Sequence, residues 1–373
     1  MRYSRVFLEA IDYELPQRVV STSELERHLQ PLYQTLRIPL GQLEALTGIS
    51  QRRWWEPNFR VADGAVAAAR KALESTHIRA DDIDMLVYTG VCRQQLEPAT
   101  ACEVASKLGV SPDATVYDIS NACLGVLNGI IQVANAIELG QCRAGLVVSC
   151  ETAREINEAM IDQMIHSQSM ELFKQGIATL TGGSGAVAVL VVDEELSFQQ
   201  RRRLVGGVAR NAPQHHKLCR WGWENISPTI ERIASSQPAT YLKNKLVGMA
   251  DRARHLMAPF MSTDAVNVLK YGVELGQKTW QNFLHRVGWA TEQLDKVICH
   301  QVGSSHRETI LKTLGIPVHK EYSTFQTLGN IGTVSLPLTA AIAEENGFLQ
   351  QGDRVGFLGI GSGLNCMMLG VEW

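Results

Sequence analysis

One pattern occurs twice in this chain, and it constrains the fold more than any other feature. A helical stretch leads into Asp82-Ile83-Asp84-Met85-Leu86-Val87, then a loop and a second helix. Roughly 212 residues later a helix leads into Leu294-Asp295-Lys296-Val297-Ile298, again followed by a loop and a helix. A second echo pairs residues 181–192 with 359–371. Self-similarity at a long offset is what a duplicated structural unit leaves in a sequence, so two similar halves packed together are expected. Short apolar runs alternate with helices throughout, which points to an α/β fold. The 373 residues are long for one core and suit two fused halves.

Strands are expected near 6–11, 83–89, 116–119, 144–150, 186–192, 297–300, 355–360 and 366–372. Helices are expected over 21–36, capped by Ser21 or Ser23, and over 62–76, 100–108, 123–139, 264–287, 304–314 and 334–345. Residues 162–175 lack a decisive apolar period and read as a covering segment. The stretch 211–262 is the least regular; with Trp221, Trp223, Pro228, Pro238 and Pro259 it reads as an insertion over a more regular core. The expected division is 1–195, 196–262 as a variable insertion or cap, and 263–373.

A formal charge of −3 gives no basic field for nucleic acid. Basic residues cluster at Arg201-Arg202-Arg203, either a solvated turn or a landing patch for an acidic partner protein. No stretch approaches 18 uncharged apolar residues, so no membrane span is expected. The start of the chain does not read as a signal peptide. The eight cysteines show no CxxC and no regular framework, which favours free thiols in a reducing cytoplasm. Neither a metal nor a cofactor is expected.

Cys123 follows a strand and the small turn Asn121-Ala122, and opens a helix. Free N–H groups and the positive dipole end there stabilise a thiolate, so a depressed pKa and a nucleophilic role follow; a buried structural thiol is the competing reading. His300 ends a strand, where α/β folds place ligands. His306, six residues on, reads as structural. Asn330, between glycines in Leu328-Gly329-Asn330-Ile331-Gly332, can donate a hydrogen bond without carrying charge, or can serve a simple turn. Gly359-Ile360-Gly361-Ser362-Gly363 is too close to the end of the sequence for a dinucleotide loop and suits a backbone nest beside a reacting oxygen. Glu97, before Pro98, is either a solvated glutamate or a general base held near the thiol.

Together these segments resemble the thiolase superfamily in its ketoacyl-ACP synthase III-like branch, and within it the OleA-type enzymes that join two acyl chains head to head. The resemblance rests on Leu96-Glu97-Pro98-Ala99-Thr100, Asp118-Ile119-Ser120-Asn121-Ala122-Cys123-Leu124, His300-Gln301-Val302, Gly329-Asn330-Ile331-Gly332 and the tail from Gly359 to Cys366, in this order and spacing. It implies a duplicated, five-layered αβαβα fold with mixed central sheets, and a homodimer. It further implies that Cys123 carries an acyl thioester and that the backbone N–H groups of Cys123 and Ser362 form the oxyanion hole. His300 and Asn330 would polarise the second thioester, and Glu97 would act as base across the dimer interface. Cys366 lies on a strand and is not expected to act.

Three functions follow from the resemblance. The favoured one is non-decarboxylative Claisen condensation of two fatty acyl-CoAs. The alternatives are a decarboxylative β-ketoacyl-ACP synthase III using acyl-CoA and malonyl-ACP in fatty acid biosynthesis, and a non-catalytic assembly partner.

Overall fold

A computed structural model describes residues 1–198, 201–225 and 257–373. Nine strands form its main sheet. The first half contributes β1 (Val6–Glu14), β4 (Met85–Tyr88), β5 (Thr115–Asp118), β6 (Ala144–Glu151) and β7 (Gly185–Asp193). The second half contributes β8 (Arg203–Asn211), β11 (Lys296–Cys299), β12 (Arg354–Gly361) and β13 (Asn365–Glu372). Their order is β11-β12-β13-β8-β1-β7-β6-β4-β5. Two short strands, β2 (Arg18–Ser21) and β3 (Gln51–Trp54), pair separately, as do β9 (Cys219–Asn225) and β10 (Met257–Thr263).

The sequence echoes are the two halves of this sheet. In the first half β4 runs parallel to β6, β6 antiparallel to β7, and β7 antiparallel to β1. In the second, β11 runs parallel to β12, β12 antiparallel to β13, and β13 antiparallel to β8. So β11, β12, β13 and β8 repeat β4, β6, β7 and β1, and Phe7 pairs with Arg203 where the halves join. Beside β4 lies β5; at the equivalent position beside β11, among the described residues, only Glu321 bridges to Val297.

Helix Gly125–Glu138 and helix Ser335–Glu345 are buried along most of their length and fill the space between the two half-sheets. Their cluster runs from Val87 and Val147 in one half to Phe357 and Leu369 in the other. Alanine-rich helix Val61–Glu74 covers the outer face of the first half, and helix Ala265–Val287 covers that of the second. Layers alternate αβαβα, and the sheet is mixed, as expected.

Four local readings change. The expected helix 21–36 is two helices, Thr22–His28 and Gln30–Leu36, because Pro31 can open a helix but not continue one. Ser21 caps the first, accepting from the Glu24 N–H at 3.1 Å. Residues 162–175 belong to helices Arg154–Ser167 and Met170–Gly176. Within 196–262, Arg203–Asn211 is a core strand of the second half; residues 199–200 and 226–256 of that stretch, including Pro228 and Pro238, lie outside the described residues. Finally, the arginine cluster is not a free basic patch. Arg201 and Arg202 reach Glu344 at 3.3 and 2.6 Å, and Arg203 reaches Glu372 at 2.6 Å.

Candidate active site

The carboxyl ends of β5, β6, β11 and β12 converge on one cavity of about 1250 Å³. Cys123, His300 and Asn330 all line it, together with Glu151, Gly361 and Ser362. Residues separated by 207 positions in the chain thus meet because the duplication places equivalent strand ends side by side.

Cys123 stands in the 3₁₀ turn Ala122–Leu124, just before helix Gly125–Glu138, rather than in the helix itself. Ala122 has φ of +45°, a strained conformation for a residue with a Cβ and a mark of functional turns. The turn is held from two sides. Thr333 Oγ1 accepts from the Val126 N–H at 2.7 Å, and a Cβ at Gly125 would stand 2.2 Å from the Thr89 carbonyl oxygen. The thiol is not depressed, as its place before a helix suggests, but pushed up to about 12. Burial is the largest cause, followed by the neighbouring Cys219 and Glu151. Desolvation of an anion therefore outweighs the helix end, and ionisation requires a proton acceptor at the thiol.

His300 supplies a neutral ring. Burial, with His306 second, lowers its pKa to about 4. Its backbone N–H donates to the Leu358 carbonyl at 2.9 Å, which locks the residue's backbone to β12. Gln301, almost fully buried, accepts from the Thr324 and Phe325 N–H groups at 2.9 and 3.2 Å and fixes the loop behind it. Nδ1 of His300 and Nε2 of His306 are both buried without a hydrogen-bond partner among the described residues. His306, expected to be structural, lines the cavity too.

Asn330 is held by its backbone: its N–H donates to Thr181 O at 2.9 Å, and its carbonyl accepts from Gly183 N–H at 2.9 Å. Its side-chain Oδ1 accepts from Gly332 N–H at 3.0 Å. That leaves the Nδ2 donor for a substrate oxygen. Gly361 lies flush against the nucleophile; a Cβ there would be 3.2 Å from Leu124 Cγ and 3.4 Å from Cys123 N.

Glu97 is not part of this assembly within one chain. Its side chain is exposed beside Leu96, which is 92% exposed, on a loop whose first residue, Val91, lines the cavity. Two residues of the site escaped sequence reasoning. Glu151 ends β6 and is 3% exposed; the strand-end rule applied to His300 selects it equally. Cys219, in the irregular tryptophan-rich stretch, carries no local signal, yet it lines the cavity and bears on Cys123. Cys366 also lines the cavity, with its thiol pushed up to about 12 by burial.

Above the polar floor the lining is mainly apolar: Ile156, Ile177, Met261, Leu269, Val273 and Ile310 contribute. The two helices over 154–176, the paired strands β9 and β10, and helix Ala265–Val287 line it as well. An acyl chain suits such walls.

Fold and site define a thiolase-superfamily condensing enzyme of the ketoacyl synthase III-like branch. The thiolase N-terminal domain model matches residues 49–220, and the 3-oxoacyl-[acyl-carrier-protein] synthase III C-terminal model matches residues 284–373. The chain is 54% identical to an acyl-CoA:acyl-CoA alkyltransferase of Shewanella oneidensis and 34% identical to one of Xanthomonas campestris, covering all of both chains. A solved structure of cerulenin-bound Xanthomonas campestris OleA superposes with a TM-score of 0.88 at 34% identity, covering 100% of this chain and 98% of that one. The chain belongs to the OleA-type acyl-CoA:acyl-CoA alkyltransferases. Solved variants of the Xanthomonas protein carry substitutions of a cysteine and a glutamate whose separation in sequence equals that of Cys123 and Glu97.

Proposed function

We propose that this enzyme condenses two fatty acyl-CoAs head to head through an acyl thioester on Cys123. The observation that carries the reading is the meeting of Cys123, His300 and Asn330 on the floor of one large, mainly apolar cavity. In the first half-reaction the Cys123 sulfur attacks the acyl carbonyl, His300 takes the thiol proton, and CoA leaves as the thiol. The backbone N–H groups of Cys123 and Ser362 receive the developing oxyanion, where fixed donors act most strongly. In the second, a base removes the α-proton of another acyl-CoA, whose enolate oxygen is met by His300 and Asn330 Nδ2. The α-carbon attacks the thioester, the C–S bond breaks, and a 2-alkyl-3-oxoacyl-CoA is released with Cys123 regenerated.

Glu97 is the proposed base, supplied by the partner in a homodimer. Its exposure within one chain supports this, as does the free edge of β5, beside which its loop stands. Open edges favour pairing with a second copy. The hairpin and the remainder of 196–262 are proposed to shape the acyl channel, between halves 1–195 and 263–373. No helix among the described residues is long and apolar enough to cross a membrane. Eight unpaired cysteines support a reducing cytoplasm as the place of action. The ion pairs of Arg201, Arg202 and Arg203 remove the feature that favoured an acyl carrier protein.

The test is a product assay. A β-keto product from acyl-CoA alone is expected; strict dependence on malonyl-ACP with CO₂ release would select the decarboxylative reaction instead.

A further inference from the structure

Glu151 stands at the junction of the loops that carry the condensing groups. Its Oε1 accepts from the Val91 N–H at 2.8 Å and its Oε2 from the Cys92 N–H at 3.0 Å, at the start of the loop that leads to Glu97. On its other side the end of β6 packs against the 3₁₀ turn Gly332–Val334. A Cβ on Gly332, two residues beyond Asn330, would stand 3.3 Å from Oε1. Burial pushes the Glu151 carboxyl above its usual range, and the two N–H donors on its oxygens favour the carboxylate and pull it back. The titratable groups that bear on it or feel it are Tyr88, Cys92, Cys150 and Cys123, none of them cationic. Backbone dipoles are what favour its charged form. By contrast, the Cys123 turn and Gly361 are fixed by Thr333 Oγ1, Thr89 and Leu124.

We propose that Glu151 is a positioning residue for the second half-reaction: it ties the root of the Glu97 loop to the Asn330 turn, so that proton abstraction and enolate binding are aligned over the acylated Cys123. This rests on the head-to-head reading. A glutamine at 151 keeps the shape but presents an NH₂ to one of the two N–H donors, so one of the two bonds that hold the root of the Glu97 loop is lost.

The experiment compares wild type and Glu151→Gln in two assays: acylation of Cys123 by acyl-CoA, followed by mass spectrometry, and turnover to β-keto product. Acylation is expected within about threefold of wild type and turnover at least about 30-fold lower. The pH midpoint for alkylation of Cys123 by iodoacetamide should also move down, because an anion beside the thiol is gone. Equal loss in both assays, undiminished turnover or an unmoved midpoint would overturn the proposal. Should the variant not fold, amide hydrogen exchange on the wild type decides: Val91 and Cys92 must be protected while residues 95–97 exchange freely, and rapid exchange at both would overturn it. Failure of the head-to-head reading looks different, since wild type itself would then yield no β-keto product from acyl-CoA alone.

Discussion

Gly361 and Cys123 touch across the two halves of the molecule: a Cβ at 361 would come within 3.4 Å of the Cys123 backbone nitrogen. The last turn of β12 thus forms one wall of the nucleophile's pocket. Gly361→Val is expected to displace that nitrogen from the oxyanion. Acylation of Cys123, measured by intact mass, should slow by about 10²-fold or more, the scale of losing one oxyanion donor. Overpacking should cost only about 1–3 kcal/mol of stability, so the thermal midpoint separates the two effects.

Asn330 should matter in the other half-reaction. Asn330→Asp keeps the Oδ1 that accepts from Gly332 but replaces the Nδ2 donor with an oxygen. Acylation is expected to survive while condensation falls by about 10²–10³-fold. Parallel loss of both would remove Asn330 from the enolate site.

Assignment of Glu97 to the partner subunit can be read from mixed dimers. Cys123→Ala and Glu97→Gln are each expected to be inactive alone. Co-expressed, they should regain roughly a quarter of wild-type turnover, because half of the dimers are hybrids with one intact site. A base acting within its own chain would give no recovery.

Burial holds His300 neutral, with its pKa near 4 against about 6.5 in an unfolded chain. On acidification the unfolded state binds the proton first, so stability falls as pH drops from about 6.5 towards 4. The span corresponds to roughly 3 kcal/mol at most, and His306, also lowered by burial, acts in the same direction. Denaturant titrations should show a shallower acid loss for His300→Asn than for wild type. An identical slope would mean that His300 is solvated.

Arg52 is wholly buried and donates to Thr22 Oγ1 at 2.9 Å and to the Leu180 carbonyl at 3.0 Å. Desolvation lowers its guanidinium to about 10. Arg52→Ala removes both bonds and opens a cavity beneath the Asn330 turn, where a Cβ at Gly329 would lie 3.3 Å from Arg52 Cβ. A loss of about 2–4 kcal/mol is expected from the urea midpoint.

The sequence makes the regular parts of this protein legible and leaves dark what depends on their meeting. Helices such as Thr100–Leu108 and Ser304–Leu314 fall where period and capping put them. The echo between β4 and β11 reveals the duplication because buried parallel strands are short apolar runs with fixed neighbours. Cys123, His300 and Asn330 were visible as strand-end and turn residues, although nothing local put them in one cavity. The direction of the Cys123 pKa was not readable: it is set by burial and by Glu151 and Cys219, which sit 28 and 96 positions away in sequence. The start of β8 escaped because Arg201-Arg202-Arg203 looks solvated, whereas its partners Glu344 and Glu372 come from the far end of the chain.

The two borders of the nine-stranded sheet are unequal. At one, β5 shows open backbone; at the other, the bridge from Val297 to Glu321 blunts β11. A sheet with two open borders can add copies without limit and grow into a fibre. With one, joining like to like uses up the free border of both molecules at once. In the proposed homodimer, growth through β5 would stop at two copies, so a second half with no counterpart of β5 among the described residues would guard the enzyme against polymerisation.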